Sequence, residues 1–254
     1  MLKERTARAG LTPSGLLLAA YAEVLAAWSA SPRFTINVTT FNRLAIHPEI
    51  YEVVGDFTSL TLLAADLSEG GSFELRARRL QEQLWEDLDH RQISGVQVVR
   101  DLARHQGRPP GALMPVVFTS RLFHDTRGAA AAPPEGPRGE MVYAISQTPQ
   151  VWLDKQVSEE EGALLWTWDA VEELFPEGLL DDMLAAFARL VERLATAAES
   201  WSETAFDLVP EVQLARRAAV NATAAPVAEV TLDALVAARV AAQPERPAVI
   251  TAER

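Results

Sequence analysis

TPSGLLLAAYAEVLAAWSASPRFTINVTTF, residues 12–41, changes its hydrophobic period halfway along. Leu17, Tyr21, Val24, Leu25 and Trp28 recur at helical spacing, which predicts a helix over 12–30 with one apolar face. Thr12, Pro13 and Ser14 suit its start, and Pro32 lies just past its end. From Arg33 the spacing drops to two. Phe34, Ile36 and Val38 alternate with Thr35, Asn37 and Thr39, the pattern of a half-buried strand.

Working outward, helices and strands continue to intermix. VVGDFTSLTLLAADL (53–67) reads as a glycine turn and a buried strand, and 72–90 as a helix. SGVQVVRDLARHQ (94–106) is a further helix with Ser94 as N-cap, ended by Pro109, Pro110 and Gly111. MPVVFTS (114–120) is an apolar run of strand length, and 126–139 is low-complexity loop. MVYAISQTPQVWLDKQV (141–157) predicts two strands joined near Thr148-Pro149, ALLWTWDAV (163–171) another strand, and 175–198 a long amphipathic helix. The expected fold class is α/β (α+β): a mixed sheet covered by helices. Composition then divides the chain into a lobe at 1–205, a linker at 206–230, and at 231–254 a helix, a turn and the opening of a strand.

The bulk properties exclude several classes. A net charge of -12 repels phosphate, so a nucleic-acid partner is not expected. No basic run suits an anionic membrane, and no apolar span is long enough to cross one. Glu4 and Glu23 flank or interrupt the apolar N-terminal stretch, which argues against a signal peptide and for a cytoplasmic protein. With no cysteine there is no disulfide, thiolate nucleophile or Cys-based zinc site. The four histidines are scattered, and His47 has no spaced partner that would suggest a metal. Asp89, His90 and Arg91 read as a structural network at a helix end.

The blocks TPSGLLLAAYAEVLAAWS, FTINVTTFNR, VVGDFTSL, DLDHRQISGVQVVRDLAR, MPVVFTS, ISQTPQVWLD and WDAVEELFPEGLLDDM stand in this order. Together, over roughly 10–200, they resemble the C-terminal lobe of heterocyclization domains, members of the condensation-domain superfamily of nonribosomal peptide synthetases. The tail RRAAVNATAAPVAEVTLDALVAARVAAQPERPAVI resembles the linker into an adenylation domain and that domain's first helix. The resemblance implies a chloramphenicol-acetyltransferase-like lobe that faces an N-terminal lobe of the same domain across a substrate tunnel. It implies upstream and downstream peptidyl carrier proteins bearing phosphopantetheine as partners, with no cofactor bound to the lobe directly.

The implied reaction joins a carrier-bound acyl group to a cysteinyl, seryl or threonyl thioester, then closes and dehydrates a thiazoline or oxazoline ring. Motif position assigns Asp154 of QTPQVWLD as the catalytic carboxyl, Thr119 of VVFTS as its hydroxyl neighbour and Asn42 of FNR as a substrate-orienting amide. Gln147, Asp56 and Ser120 are assigned to the tunnel. By residue type alone, Asp154 would cap a turn, Thr119 would be a strand former and Asn42 a loop residue. Lys155 follows Asp154 where the family commonly has histidine, Ala45 stands where proline is common, and Thr167 replaces a frequent asparagine. Lys155 is therefore expected to alter the field on Asp154. Two other readings stay open here: a lobe of an amide-forming condensation domain, and a fragment that docks carriers but is inactive without its N-terminal lobe.

Overall fold

In the computed structural model of the chain, the described residues are 2–43, 46–50, 52–107, 114–122, 142–143, 150–160, 162–225, 229–247 and 249. They form helices α1 (Leu2–Arg8), α2 (Pro13–Trp28), α3 (Phe73–Asp89), α4 (Gly95–Gln106), α5 (Leu179–Thr196), α6 (Glu211–Asn221) and α7 (Leu232–Ala242). The strands are β1 (Arg33–Phe41), β2 (Thr58–Asp66), β3 (Val116–Ser120), β4 (Leu153–Glu160) and β5 (Ala163–Ala170). The first strand expected within 141–157 lies largely outside the described residues, as does the strand expected near 248–254.

Thr12 starts α2 as expected: its Oγ1 accepts the Gly15 amide at 3.0 Å, and proline follows at the first helical position. The single apolar face does not hold. Leu16, Leu17, Leu18, Ala19, Ala20, Tyr21 and Ala22 are all buried, so the helix is wrapped on every side over these two turns. Small alanines between the leucines let neighbours close on the faces that spacing alone assigned to water. α3 and α5 pack against α2, and the three cover one face of the sheet. Tyr21 stacks on Phe118 of β3 at 6.1 Å and meets Trp168 of β5 edge-on at 5.4 Å. Phe187 of α5 meets Trp166 edge-on at 5.5 Å. Trp166 and Trp168 therefore belong to the core margin, while Trp152 stays exposed.

Gly15 marks a tight approach of α2 to α3. A Cβ there would lie 2.4 Å from Gln81 Oε1. That oxygen already accepts the Thr12 amide at 2.7 Å and the Thr12 hydroxyl at 2.9 Å, while Gln81 Nε2 donates to Gly10 O at 3.1 Å. A Gly15→Ala substitution must displace this buried knot, and urea denaturation should register a loss of about 1–3 kcal/mol.

The sheet order is β2-β1-β3-β4-β5; β1, β3 and β4 run parallel, and each edge strand pairs antiparallel with its neighbour. Successive side chains point to opposite faces. One face carries Ile36, Val38, Phe118, Leu153, Lys155 and Val157 into the helical layer, where they are buried. The other carries Asn37, Thr39, Val117, Thr119, Asp154, Gln156, Thr167 and Asp169. Over this second face α4 packs on edge strand β2, where Gly95 approaches the Leu60 carbonyl. Ser94 caps α4 as expected, its Oγ accepting the Gln97 amide at 3.3 Å.

The chain divides into two compact units, Met1–Pro210 and Glu211–Arg254. Part of the stretch read as linker, Glu211–Asn221, is helical. Among the described residues no single helix is long and apolar enough to cross a membrane; α1 and α2 pass that test only as a pair bent by 94°.

Candidate active site

The sheet face turned away from the helical layer gathers most of the motif residues. β3 runs parallel between β1 and β4, with Thr39 opposite Thr119 and Thr119 opposite Gln156. One row along, Asn37 faces Val117 and Val117 faces Asp154, with Asp169 next on β5. Thr119 and Asp154 are thus diagonal neighbours on adjacent parallel strands, with their side chains on the same face. Both are half-buried. Gln150, at the turn feeding β4, takes φ 69°, a left-handed conformation uncommon for a residue with a side chain.

Hydrogen bonds fix this row. Thr119 Oγ1 donates to Thr39 Oγ1 at 2.9 Å, and Gln156 Nε2 donates to Asp154 Oδ2 at 3.1 Å. Asp154 Oδ1 is buried with no hydrogen-bond partner among the described residues, and so are Asn37 Oδ1 and Asn42 Oδ1. Burial raises the Asp154 pKa above the ordinary carboxylate value; the Gln156 bond opposes this, and Asp169 across the β4–β5 pair adds to it. A carboxyl held in this way exchanges protons more readily near neutrality than a solvated one.

The other expected residues scatter. Asn42 follows the end of β1, its amide N–H donating to Phe57 O at 2.8 Å. Arg43 staples the loop beyond it, donating to Ile50 O at 2.7 Å and Val53 O at 2.9 Å and lying over the Phe57 ring at 4.0 Å. Asp56 is exposed; the Thr58 side chain and then the Thr58 amide, which donates to Oδ1 at 2.8 Å, lower its pKa by hydrogen bonding. Ser120, next to Thr119, points into the helical layer, where its hydroxyl meets Ser14 Oγ at 2.7 Å. Gln147 lies outside the described residues. His90 caps the end of α3, its Nδ1 at 2.9 Å from Glu86 O.

Lys155 differs from expectation. Strand alternation turns it away from Asp154 and into the core, fully buried against Phe187, Trp168 and Tyr21. The groups that shift Asp154 are its own burial, Gln156 and Asp169, not Lys155. Sequence reading passed over Thr39, Gln156 and Asp169. The period-two alternation was a signal for the first two, but it selects them only once strand neighbours and register are known.

The chain is 47% identical over 205 residues to pyochelin synthetase PchF of Pseudomonas aeruginosa, a match covering 80% of this chain and 11% of PchF. It is 41% identical over 242 residues to phenyloxazoline synthase MbtB of Mycobacterium tuberculosis, covering 94% of this chain and 17% of MbtB. Its fold superposes on the EpoB NRPS cyclization-docking bidomain of Sorangium cellulosum with a TM-score of 0.66 at 46% identity, over 79% of this chain and 40% of that one. No family model matches the chain. Sequence and fold agree with the strand arrangement: the chain belongs to the heterocyclization domains of the condensation superfamily of nonribosomal peptide synthetases, as a C-terminal lobe.

Proposed function

We propose that this lobe supplies the acid-base side of a cyclodehydration, with Asp154 as proton carrier and Thr119 beside it. The observation that carries this reading is one sheet face holding both groups, with Asp154 Oδ1 unfilled and the carboxyl pKa raised by burial. The substrate class is a carrier-bound chain ending in cysteine, serine or threonine. Its side-chain thiol or hydroxyl attacks the preceding amide carbonyl and closes a hydroxylated five-membered ring. The Asp154 carboxyl then gives its proton to the departing hydroxyl, which leaves as water. The resulting carboxylate takes the ring N–H proton as the C=N bond forms, so the acid is regenerated. Thr119 offers an oxygen to the hydroxyl or N–H in transit, and Asn42 orients the chain from the end of β1.

On this reading the partners are an N-terminal lobe of the same domain and two carrier proteins whose phosphopantetheine arms present the substrates. Residues 206–230 then lead to an adenylation domain that opens at 231–254. The names of PchF, MbtB and the EpoB bidomain, a pyochelin synthetase, a phenyloxazoline synthase and a cyclization unit, support ring formation over bare amide formation. The test is reconstitution of the complete domain with loaded carriers, following the product by mass spectrometry. A product that has lost water supports the proposal. A product that stops at the amide refutes it.

A further inference from the structure

We propose that Thr39 is a positioning residue that makes Thr119 a hydrogen-bond acceptor toward the substrate; this deepens, and rests on, the cyclodehydration reading above. Thr39 and Thr119 stand directly opposite each other on parallel strands β1 and β3. Thr119 Oγ1 donates to Thr39 Oγ1 at 2.9 Å, so the only proton on the Thr119 hydroxyl is used inside the sheet face. Both of its lone pairs are left for a donor arriving from the open side. Thr39 carries β-branched stiffness of its own, which holds its oxygen in place. On the opposite flank of Thr119, Gln156 is occupied with Asp154 Oδ2. Among the described residues it is Thr39, not Gln156, that accepts the Thr119 proton.

The chemistry gives this orientation a purpose. Both groups that pass near Asp154 during dehydration, the ring N–H and the departing hydroxyl, are proton donors. A Thr119 hydroxyl free to rotate would spend part of its time offering a proton to them instead of receiving one. Committing that proton to Thr39 removes the wrong orientation. Thr39 is also an unobtrusive place to act: it is half-buried on the face away from the helical layer, so a same-sized apolar replacement opens no core cavity.

The experiment uses the complete domain with loaded carriers and measures the ratio of ring product to uncyclised amide, with the thermal midpoint of each variant as a folding control. Thr39→Val should lower the rate of ring formation about three- to tenfold, the range of one neutral hydrogen bond, and leave amide formation unchanged. Thr39→Ser, which restores the acceptor, should recover most of the loss. In a Thr119→Val background the Thr39→Val change should have no further effect, because Thr39 acts only through Thr119. A Thr39→Val loss that persists in that background overturns the inference, as does a Thr39→Val protein that cyclises at the full rate. Asp154→Asn separates the two levels. If it stops ring formation while Thr39→Val does not, only the role of Thr39 falls. If it leaves ring formation whole, the cyclodehydration reading falls and takes this inference with it.

Discussion

Asp154→Asn, introduced into the complete domain, should cut ring formation by about 10²- to 10⁴-fold, the usual worth of a positioned acid-base group. Asparagine keeps the size and the oxygen that Gln156 holds at 3.1 Å, so β4 and its neighbours should keep their places. What is lost is the capacity to carry a proton, because the amide neither ionises nor donates an acidic hydrogen. Amide formation between the two carrier-bound substrates does not need this shuttle in the proposed scheme. The uncyclised amide should therefore accumulate on the downstream carrier, and mass spectrometry of that carrier would reveal it. A graded companion is Gln156→Leu. It removes the one hydrogen bond that lowers the Asp154 pKa while burial and Asp169 still raise it, so the carboxyl should titrate higher still. The pH profile of ring formation should move upward in that variant. A profile that stays put would mean that Asp154 is not the group that titrates.

The elements were legible in the sequence wherever one local rule governed them, and the site was not, because it is built by strand neighbours. Ser94 and Thr12 cap their helices as their residue types demand. The alternation in 33–41 yields a strand with Ile36 and Val38 buried. α2 departed from its helical-wheel reading because the faces filled by Ala19, Ala20 and Ala22 are covered by elements distant in sequence. Glu23 is a sharper case. It broke the apolar run in the sequence, yet in the fold its carboxylate sits 2.6 Å from Arg76 in a pair that is almost fully enclosed. Nothing local to either residue announces that partnership across 53 positions of chain. At the site, motif position singled out Thr119 and Asp154, and they do share a face. Ser120 was assigned to the tunnel with Gln147 and Asp56, and strand geometry sends it to the face opposite its neighbour Thr119. Thr39 and Gln156 looked like ordinary strand filler until register set them beside Thr119.

Lys155→Met should stabilise the chain by about 3 kcal/mol at pH 7, a rare gain for a single core substitution. The Lys155 amine is fully buried, lies 3.2 Å from the centre of the Phe187 ring and has no hydrogen-bond partner among the described residues. Burial lowers its pKa to about 6. In the unfolded chain the same amine titrates near 10.4, so between those values the unfolded state holds a proton that the folded state does not. Stability must then rise with pH across that window, by up to about 1.4 kcal/mol per unit, and level off below pH 6. At pH 7 this linkage alone opposes folding by on the order of 5 kcal/mol, and fitting a thioether end against the three rings costs back about 2 kcal/mol of the gain. Methionine keeps the length and flexibility of the side chain, replaces the amine with an apolar end and suits contact with aromatic rings. It does not titrate. Urea unfolding of both proteins at several pH values between 6 and 10, followed by tryptophan fluorescence, checks the argument. The advantage of methionine should be largest near pH 6 and shrink steadily toward pH 10. An advantage that stays constant over that range would show that the amine is not losing its proton on burial, and that the rings hold it as a cation.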